Sequence, residues 1–439
     1  ASACSRCSMS QREDSMPALP PCSIRSAQAP AMPCRRSDFN STSTSGFMTD
    51  LLGAVVASTT IEAVNSGKLY SHGGSVFAGG STIAVNINIA TNTVLTSAIA
   101  EISDAEAKAT LGDVTVNAVS AGAVIATVDS STKAFGGGSS VAIGITLAFN
   151  SVGQEPQNVV FNTVDALIGT ALTGSDAAAA EARIYKSKVT AGRDIAVAAS
   201  SESTIDAVIA SAAVSTSVTL QEGSSVTVAP VIALNRIASL AIAEIDNDLA
   251  TGRSVMAVRD ILIDAVDQSI IIANVESTSM AVTASTKSSA VSVAATFARN
   301  EIQSDVTAQI VDVPTLTAGG NLSILGRRTA TIDALGLSSS VAISASFISG
   351  STPSVTGGGA IAVNRLNGTV SARMSGTAAT VTGDVSVTAS NIAQIFATIK
   401  VLAASVAMSA GGSSTAVGLG IVVADNVIGY SNALPASVT

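Results

Sequence analysis

Apolar and polar residues alternate along most of the chain with a period of two, as in Asp384-Val-Ser-Val-Thr-Ala-Ser and Ser339-Ser-Val-Ala-Ile-Ser-Ala-Ser-Phe. Successive side chains of a strand point to opposite faces. Such runs therefore predict half-buried β-strands, with Val and Ile inward and Ser, Thr and Ala outward. Gly, Asn and Asp bound the runs, and these residues tolerate tight or left-handed turns. One stretch, Asp176-Ala-Ala-Ala-Ala-Glu-Ala-Arg, has helical propensity. Its place in the repeat predicts a strand from about Ala180 onward, and repeat register outweighs local preference.

The alternation is organised in a long repeat. An Asn closes one alternating strand, and the apolar residues of the next fall six, eight and ten positions later. Asn364 with Val370, Ala372 and Met374 is one copy; Asn300 with Val306, Ala308 and Ile310 is another. Asn235 with Ala241, Ala243 and Ile245 is a third, and weaker copies begin at Asn88, Asn150 and Asp425. The intervals are 62, 85, 65, 64 and 61 residues. The long one predicts an insertion over about residues 153–175, after which Ala182-Arg183-Ile184 regains the register of Ala372-Arg373-Met374. Asp113, Asp194, Asp260, Asn321 and Asp384 form a second marker that keeps step, each a polar residue between a turn and an alternating strand.

A repeat of this kind predicts an all-β fold, an elongated β-solenoid of about six repeats over residues 48–439. Dividing each repeat of about 63 residues into three rungs of about 21 gives a rod on the order of 85 Å at ~4.8 Å per rung. The Asn and Asp positions are expected at turns, where an Asn can stack into a ladder of side-chain amides. Small inward residues suit a narrow core.

Composition narrows the chemistry. The chain has 439 residues, of which 47% are hydrophobic, 12% charged and 3% aromatic, with no Trp and one His. Lys and Arg number 22 against 31 Asp and Glu, a net charge of −9 that disfavours nucleic acid and anionic membranes as partners. Cys4, Cys7, Cys22 and Cys34 all fall in residues 1–47, a Cys-, Pro- and Arg-rich segment without periodicity that is expected to be disordered. Their spacing resembles a four-thiolate zinc site only loosely, lacking the second C-x2-C, and no metal is expected there. Uncharged runs such as Val401–Ala424 break at Gly and Ser where a spanning helix is Leu-rich, and three Tyr with nine Phe cannot supply the aromatic girdles of a membrane barrel. No signal peptide is visible, and the chain is expected to be part of a longer polypeptide.

Candidate chemistry is sparse. His72 is expected in an exposed loop, no G-x-S-x-G or P-loop motif occurs, and the Gly136–Gly138 and Gly357–Gly359 runs read as turns between rungs. Calcium would need more oxygens than one Asp per repeat supplies, so no cofactor is expected. The sequons at Asn40, Asn321 and Asn367 matter only in a glycosylating secretory pathway, and Asn321 and Asn367 read as structural turn residues. An insertion carrying Glu155 and Asp165 is the one place for a carboxylate-lined groove, which gives the alternative of a polysaccharide lyase or hydrolase built on a β-helix.

Three motifs together resemble the repeat regions of giant bacterial surface adhesins, the filamentous-haemagglutinin-like and leukotoxin-like filamentous proteins. These are Val381-x-Gly-Asp-Val-x-Val-x-Ala, Gly137-Gly-Ser-Ser-Val-Ala, and Asn300-x-Ile-x-x-x-Val-x-Ala-x-Ile. The resemblance covers Leu51 to Thr439. It implies a non-enzymatic, secreted or surface-exposed rod that contacts cell-surface glycans or proteins, or itself, and it carries no catalytic residues. Residues 1–47 match nothing in that family.

Overall fold

A computed structural model describes residues 54–73, 80–153, 177–348 and 350–429. Residues 1–47, with their cysteines and Asn40, and the bulk of the insertion, with Glu155 and Asp165, lie outside the described residues. Among the described residues the fold is all-β and contains no helix.

The chain winds as a β-solenoid whose coils contribute to three parallel sheets. The first coil holds β1 (Ala54–Gly73), β2 (Thr82–Val94), β3 (Ser97–Ser103) and β4 (Glu106–Ala109). The second holds β5 (Val114–Gly136), β6 (Ser139–Val152), β7 (Ala178–Tyr185) and β8 (Lys188–Ala191); the third holds β9 (Ile195–Val218), β10 (Glu222–Asp246) and β11 (Ser254–Ala257). Next come β12 (Ile261–Ser285), β13 (Lys287–Val311) and β14 (Thr315–Ala318). The fifth coil has β15 (Leu322–Ser346), β16 (Thr352–Asn367), β17 (Val370–Ser375) and β18 (Ala379–Val381), and the last has β19 (Val385–Ser409) and β20 (Ser414–Ile428). Sheet A runs β1-β5-β9-β12-β15-β19, sheet B is built on β2-β6-β10-β13-β16-β20, and the short sheet C runs β4-β8-β11-β14-β18.

Each repeat therefore closes one turn of the solenoid, not three. Ile261 pairs with Leu322 and Leu322 with Val385, so a strand bonds to its equivalent one whole repeat away. The reason is strand length. In β12 inward and outward positions alternate without a break over 25 residues, leaving nowhere for intermediate corners. Strands of that length reach about 80 Å, while six stacked strands span only about 24 Å. The long dimension of the coil lies along the strands. Gly357–Gly359, expected as a turn, sits inside β16, and His72, expected in a loop, sits in β1 opposite Phe135.

The corner from sheet B into sheet C uses left-handed residues, a single one in four of the coils and Asp248, Leu249 and Gly252 in the third. Asp104, Lys186, Asp312 and Gly376 have φ of 48°, 49°, 52° and 62°. Lys186 N–H donates to Asp246 O and Asp312 N–H to Ser375 O, so the corner's backbone bonds run between coils. The corner from sheet C into sheet A needs glycine at Gly319, where a Cβ would strike the Val258 carbonyl.

Polarity divides the coil into two halves. Beside sheet C, aliphatic residues point inward: Ile263, Ile324, Ala243, Ala308, Val255 and Leu316 belong to one buried cluster fed by all three sheets. A fully buried Ile of this kind contributes roughly 1.5–3 kcal/mol. Farther out, sheets A and B face each other directly; a second aliphatic cluster with Ile205, Ile271 and Ile332 comes first, and beyond it the expected polarity is reversed. The interior there is Ser, Thr, Ala and Gly, among them Ser225, Thr227, Ser279, Ser292 and Ser340, all with essentially no exposure. Their hydroxyls bond along and across the layers: Thr227 donates to Ser292 on the next strand of sheet B at 3.0 Å, while from sheet A Ser340 donates to the Ser292 carbonyl at 2.7 Å and Ser338 to the Ala294 carbonyl at 2.9 Å. Val and Ile at the alternate positions, such as Val226, Val228, Val291 and Val293, face outward. Small side chains let two layers approach closely, and a buried hydroxyl is tolerated once it is bonded.

Candidate functional site: interior ladders and a polar layer

The most regular chemistry in the molecule is a column of six asparagines inside sheet B. Asn92 Nδ2 donates to Asn150 Oδ1, Asn150 to Asn235, Asn235 to Asn300, Asn300 to Asn364 and Asn364 to Asn426, every bond 2.8 Å long. Asn150, Asn235, Asn300 and Asn364 are fully buried. They stand mid-strand and point inward, not at turns. Each amide both donates and accepts, so one residue type at one position satisfies itself indefinitely along the stack. Of the three weaker copies of the motif, Asn150 stands in the column and the other two lie off it. Asn88 pairs in register with Thr146 and donates to the Asp129 carbonyl at 3.1 Å; Asp425 pairs with Val363 and approaches Arg365 at 3.9 Å. Asn92 and Asn426 hold the places assigned to them.

Asp113, Asp194, Asp260, Asn321 and Asp384 do stand at a turn, the corner between sheets C and A. Asp194 N–H donates to Asp113 Oδ1 at 3.1 Å, Asp260 N–H to Asp194 at 2.9 Å, Asn321 N–H to Asp260 at 2.6 Å and Asp384 N–H to Asn321 at 2.8 Å. Arg193 clamps Asp113 and Arg259 clamps Asp194 from the next coil. The Arg259 hydrogen bond, then the Asp260 N–H, hold the Asp194 carboxyl below its ordinary value of 3.8; Arg193 does the same for Asp113. Stability from a carboxyl with a depressed folded value is complete above the ordinary value and disappears as pH falls through the lower one. Asp194→Ala is expected to lower the thermal midpoint modestly, because the group is exposed, and to reduce the acid-induced drop. Melts at about pH 7 and about pH 3 measure both, and an equal acid drop in the variant would count against this role for the turn.

A polar layer separates the two largest apolar clusters. In sheet A one inward row reads Ser120, Ser201, Asp267, Arg328 and Asn391. Asp267 Oδ1 accepts from Ser304 at 2.8 Å and Oδ2 from Ser269 at 3.1 Å, while Ser239 and Ser269 hydroxyls meet at 3.1 Å. Arg328, 2% exposed, reaches the Ser304 carbonyl at 3.5 Å. Burial pushes the Asp267 carboxyl above its ordinary range, against the smaller downward pull of the three serines and Arg328. Nothing in the alternation signals this layer: Asp267 and Arg328 are charged residues at inward positions.

Among the described residues no group of three or more His, Cys, Asp or Glu is placed to hold a metal ion, and no helix is long and apolar enough to cross a membrane. The sequon residues are structural in position, Asn321 within the turn ladder and Asn367 at the end of β16. No family model matches the chain, and neither a curated protein nor a solved structure matches it.

Proposed function

We propose that this chain is the structural and adhesive repeat region of a large extracellular surface protein, a rigid non-enzymatic stalk making multivalent contacts with cell-surface glycans or proteins. The observation that carries the reading is the unbroken register of sheet A through six strands, with the Asn column bonded beside it at every step. Each coil presents its own copy of the same corners. Ion pairs on the outside of the corner between sheets C and A, Arg193–Asp113 and Arg259–Asp194, repeat a charged motif from coil to coil. Repetition converts weak single contacts into appreciable avidity without any one strong site.

Beads carrying the purified chain at graded density, applied to cultured cells, test the proposal. Retention is expected to rise more steeply than linearly with density, and soluble chain is expected to compete poorly. A parallel incubation with a panel of polysaccharides is expected to release no sugar. Reproducible release would replace the stalk with a carbohydrate-active enzyme, and beads that bind at no density would remove the adhesive role.

A further inference from the structure

We propose that the outer face of sheet B, along the half of the coil away from sheet C, pairs two copies of this chain face to face. The inference does not depend on the stalk reading. Residues 82–94, 139–149, 223–234, 288–298, 352–363 and 414–424 contain no Asp, Glu, Lys or Arg, although six adjacent strands present them on one side to solvent. Their outward positions are mostly aliphatic, with Phe149, Phe297 and the two glycines of β16 among them. Ile83 is 69% exposed and Leu419 60% on the outermost strands, with Val293 still 37% exposed near the middle.

The area is sufficient for a stable pair. Six strands at ~4.8 Å and seven residues at ~3.3 Å make a flat patch of about 29 by 23 Å, roughly 670 Å² per copy. Two such patches bury about 1,300 Å², within the range of specific interfaces. Stacked sheets pack with side chains interdigitating about 10 Å apart, so the relief of each face matters.

That relief is self-complementary. β16 offers Gly357 and Gly359 at outward positions, and nothing lies within 4 Å of a Cβ placed on Gly359. The result is a trough one strand wide between β13 and β20. Register puts Gly357 in one row with Val293, Val228 and Ile143, and Gly359 in one row with Ala295 and Pro230, two residues farther along, where β6 has Ile145. A two-fold axis parallel to the strands exchanges the second strand of the sheet with the fifth while preserving the row. It seats Ile143 and Ile145 of one copy over Gly357 and Gly359 of the other. An isologous contact of this kind closes as a dimer.

Sedimentation of the full chain tests the pairing. The wild type is expected at twice the 43.3 kDa chain mass in the micromolar range. Gly359→Val fills the trough where the single chain has open space. It is expected to weaken the dimer at least tenfold without lowering the thermal midpoint of the monomer. Ile421→Glu, on a side chain 52% exposed, is expected to do the same. Combining Gly359→Val with Ile145→Ala exchanges bulk across the axis and is expected to restore association. A wild type that stays monomeric, Gly359→Val sedimenting as wild type, or a double variant without rescue would each overturn the proposal. So would a monomer that floats with phosphatidylcholine vesicles, which would assign the face to lipid.

Discussion

Replacing Asn300 with Leu is expected to cost the solenoid about 2–6 kcal/mol, a large fraction of an ordinary folding free energy. Leu matches Asn in size well enough that the change is chemical. Asn300 accepts from Asn235 and donates to Asn364, both bonds 2.8 Å and all three residues buried. The substitution strands the Asn235 amide N–H and the Asn364 carbonyl together, each at about 1–3 kcal/mol, because no water can replace the lost partner. Asn426→Leu is the built-in comparison. It removes only the acceptor of Asn364 and does so on the exposed final coil, where water substitutes, so its effect is expected below about 1 kcal/mol. Equilibrium denaturation of both variants reads the difference. Equal losses at the two positions would mean that the column contributes no more in the interior than at its end.

Asn300→Asp separates hydrogen bonding from charge. The carboxylate still accepts from Asn235, and it can also accept from Asn364 if the Asn364 and Asn426 amides both rotate by half a turn. Every bond is then kept, and what remains is the cost of burying a charge. That variant is therefore expected to recover toward wild type on acidification, whereas Asn300→Leu is not.

The asparagines show what a sequence with this organisation reveals and what it hides. Stacking forces every coil to place the same residue at the same point, so Asn150, Asn235, Asn300 and Asn364 stand out at nearly constant intervals, as do the aspartates of the turn ladder. At the two ends the sequence offers neighbours of the same type. Asn86, Asn88 and Asn92 compete in β2, and Asp425 adjoins Asn426 in β20. Spacing cannot choose among them. Only pairing does, and a one-residue slip turns a side chain to the opposite face.

Period-two alternation likewise announces strands without saying where the chain turns or which face is inside. The first ambiguity hid the single wide coil. Gly136–Gly138 marks a true corner, but the equally glycine-rich Gly357–Gly359 is strand interior, where glycine shapes the outer surface. The second hid the reversal of polarity, because Ser225-Val-Thr-Val looks the same whether Val or Ser faces the partner sheet. What decides is the thickness of the interior: near sheet C, and in the cluster just beyond the polar layer, there is room for Ile, whereas at the far end sheets A and B leave room only for small residues such as Ser, Thr, Ala and Gly.

Asp267→Leu is expected to destabilise by about 3–5 kcal/mol, as breaking a buried charge pair does, because Arg328 then stays inside without its strand-partner anion, with Asp305 alone left to act on it. The two residues are direct strand partners on adjacent coils, Asp267 with no exposure and Arg328 with 2%. Arg328→Met is expected to cost a similar amount near neutral pH but to behave differently with acid. The folded carboxyl of Asp267 already titrates above 3.8 because of burial, so the folded chain keeps a proton that the unfolded chain has lost. Between those two values stability falls as pH rises, opposite in sign to the contribution of Asp194. Removing the guanidinium takes away one of the pulls that hold the carboxyl down, which widens that window upward. Arg328→Met should therefore move away from wild type as pH rises, a trend read by comparing about pH 5 with about pH 8. Asp267→Leu combined with Arg328→Met removes both charges from the layer, leaving its serines and Asn391, and is expected to recover most of either loss. Denaturation midpoints of the four proteins at both pH values complete the cycle. Additive losses with no pH dependence in Arg328→Met would show that the two charges do not sense one another. Recovery in the double variant would show that the layer is held by their mutual compensation, with the serines around Asp267 supplying the hydrogen bonds that Arg328 does not.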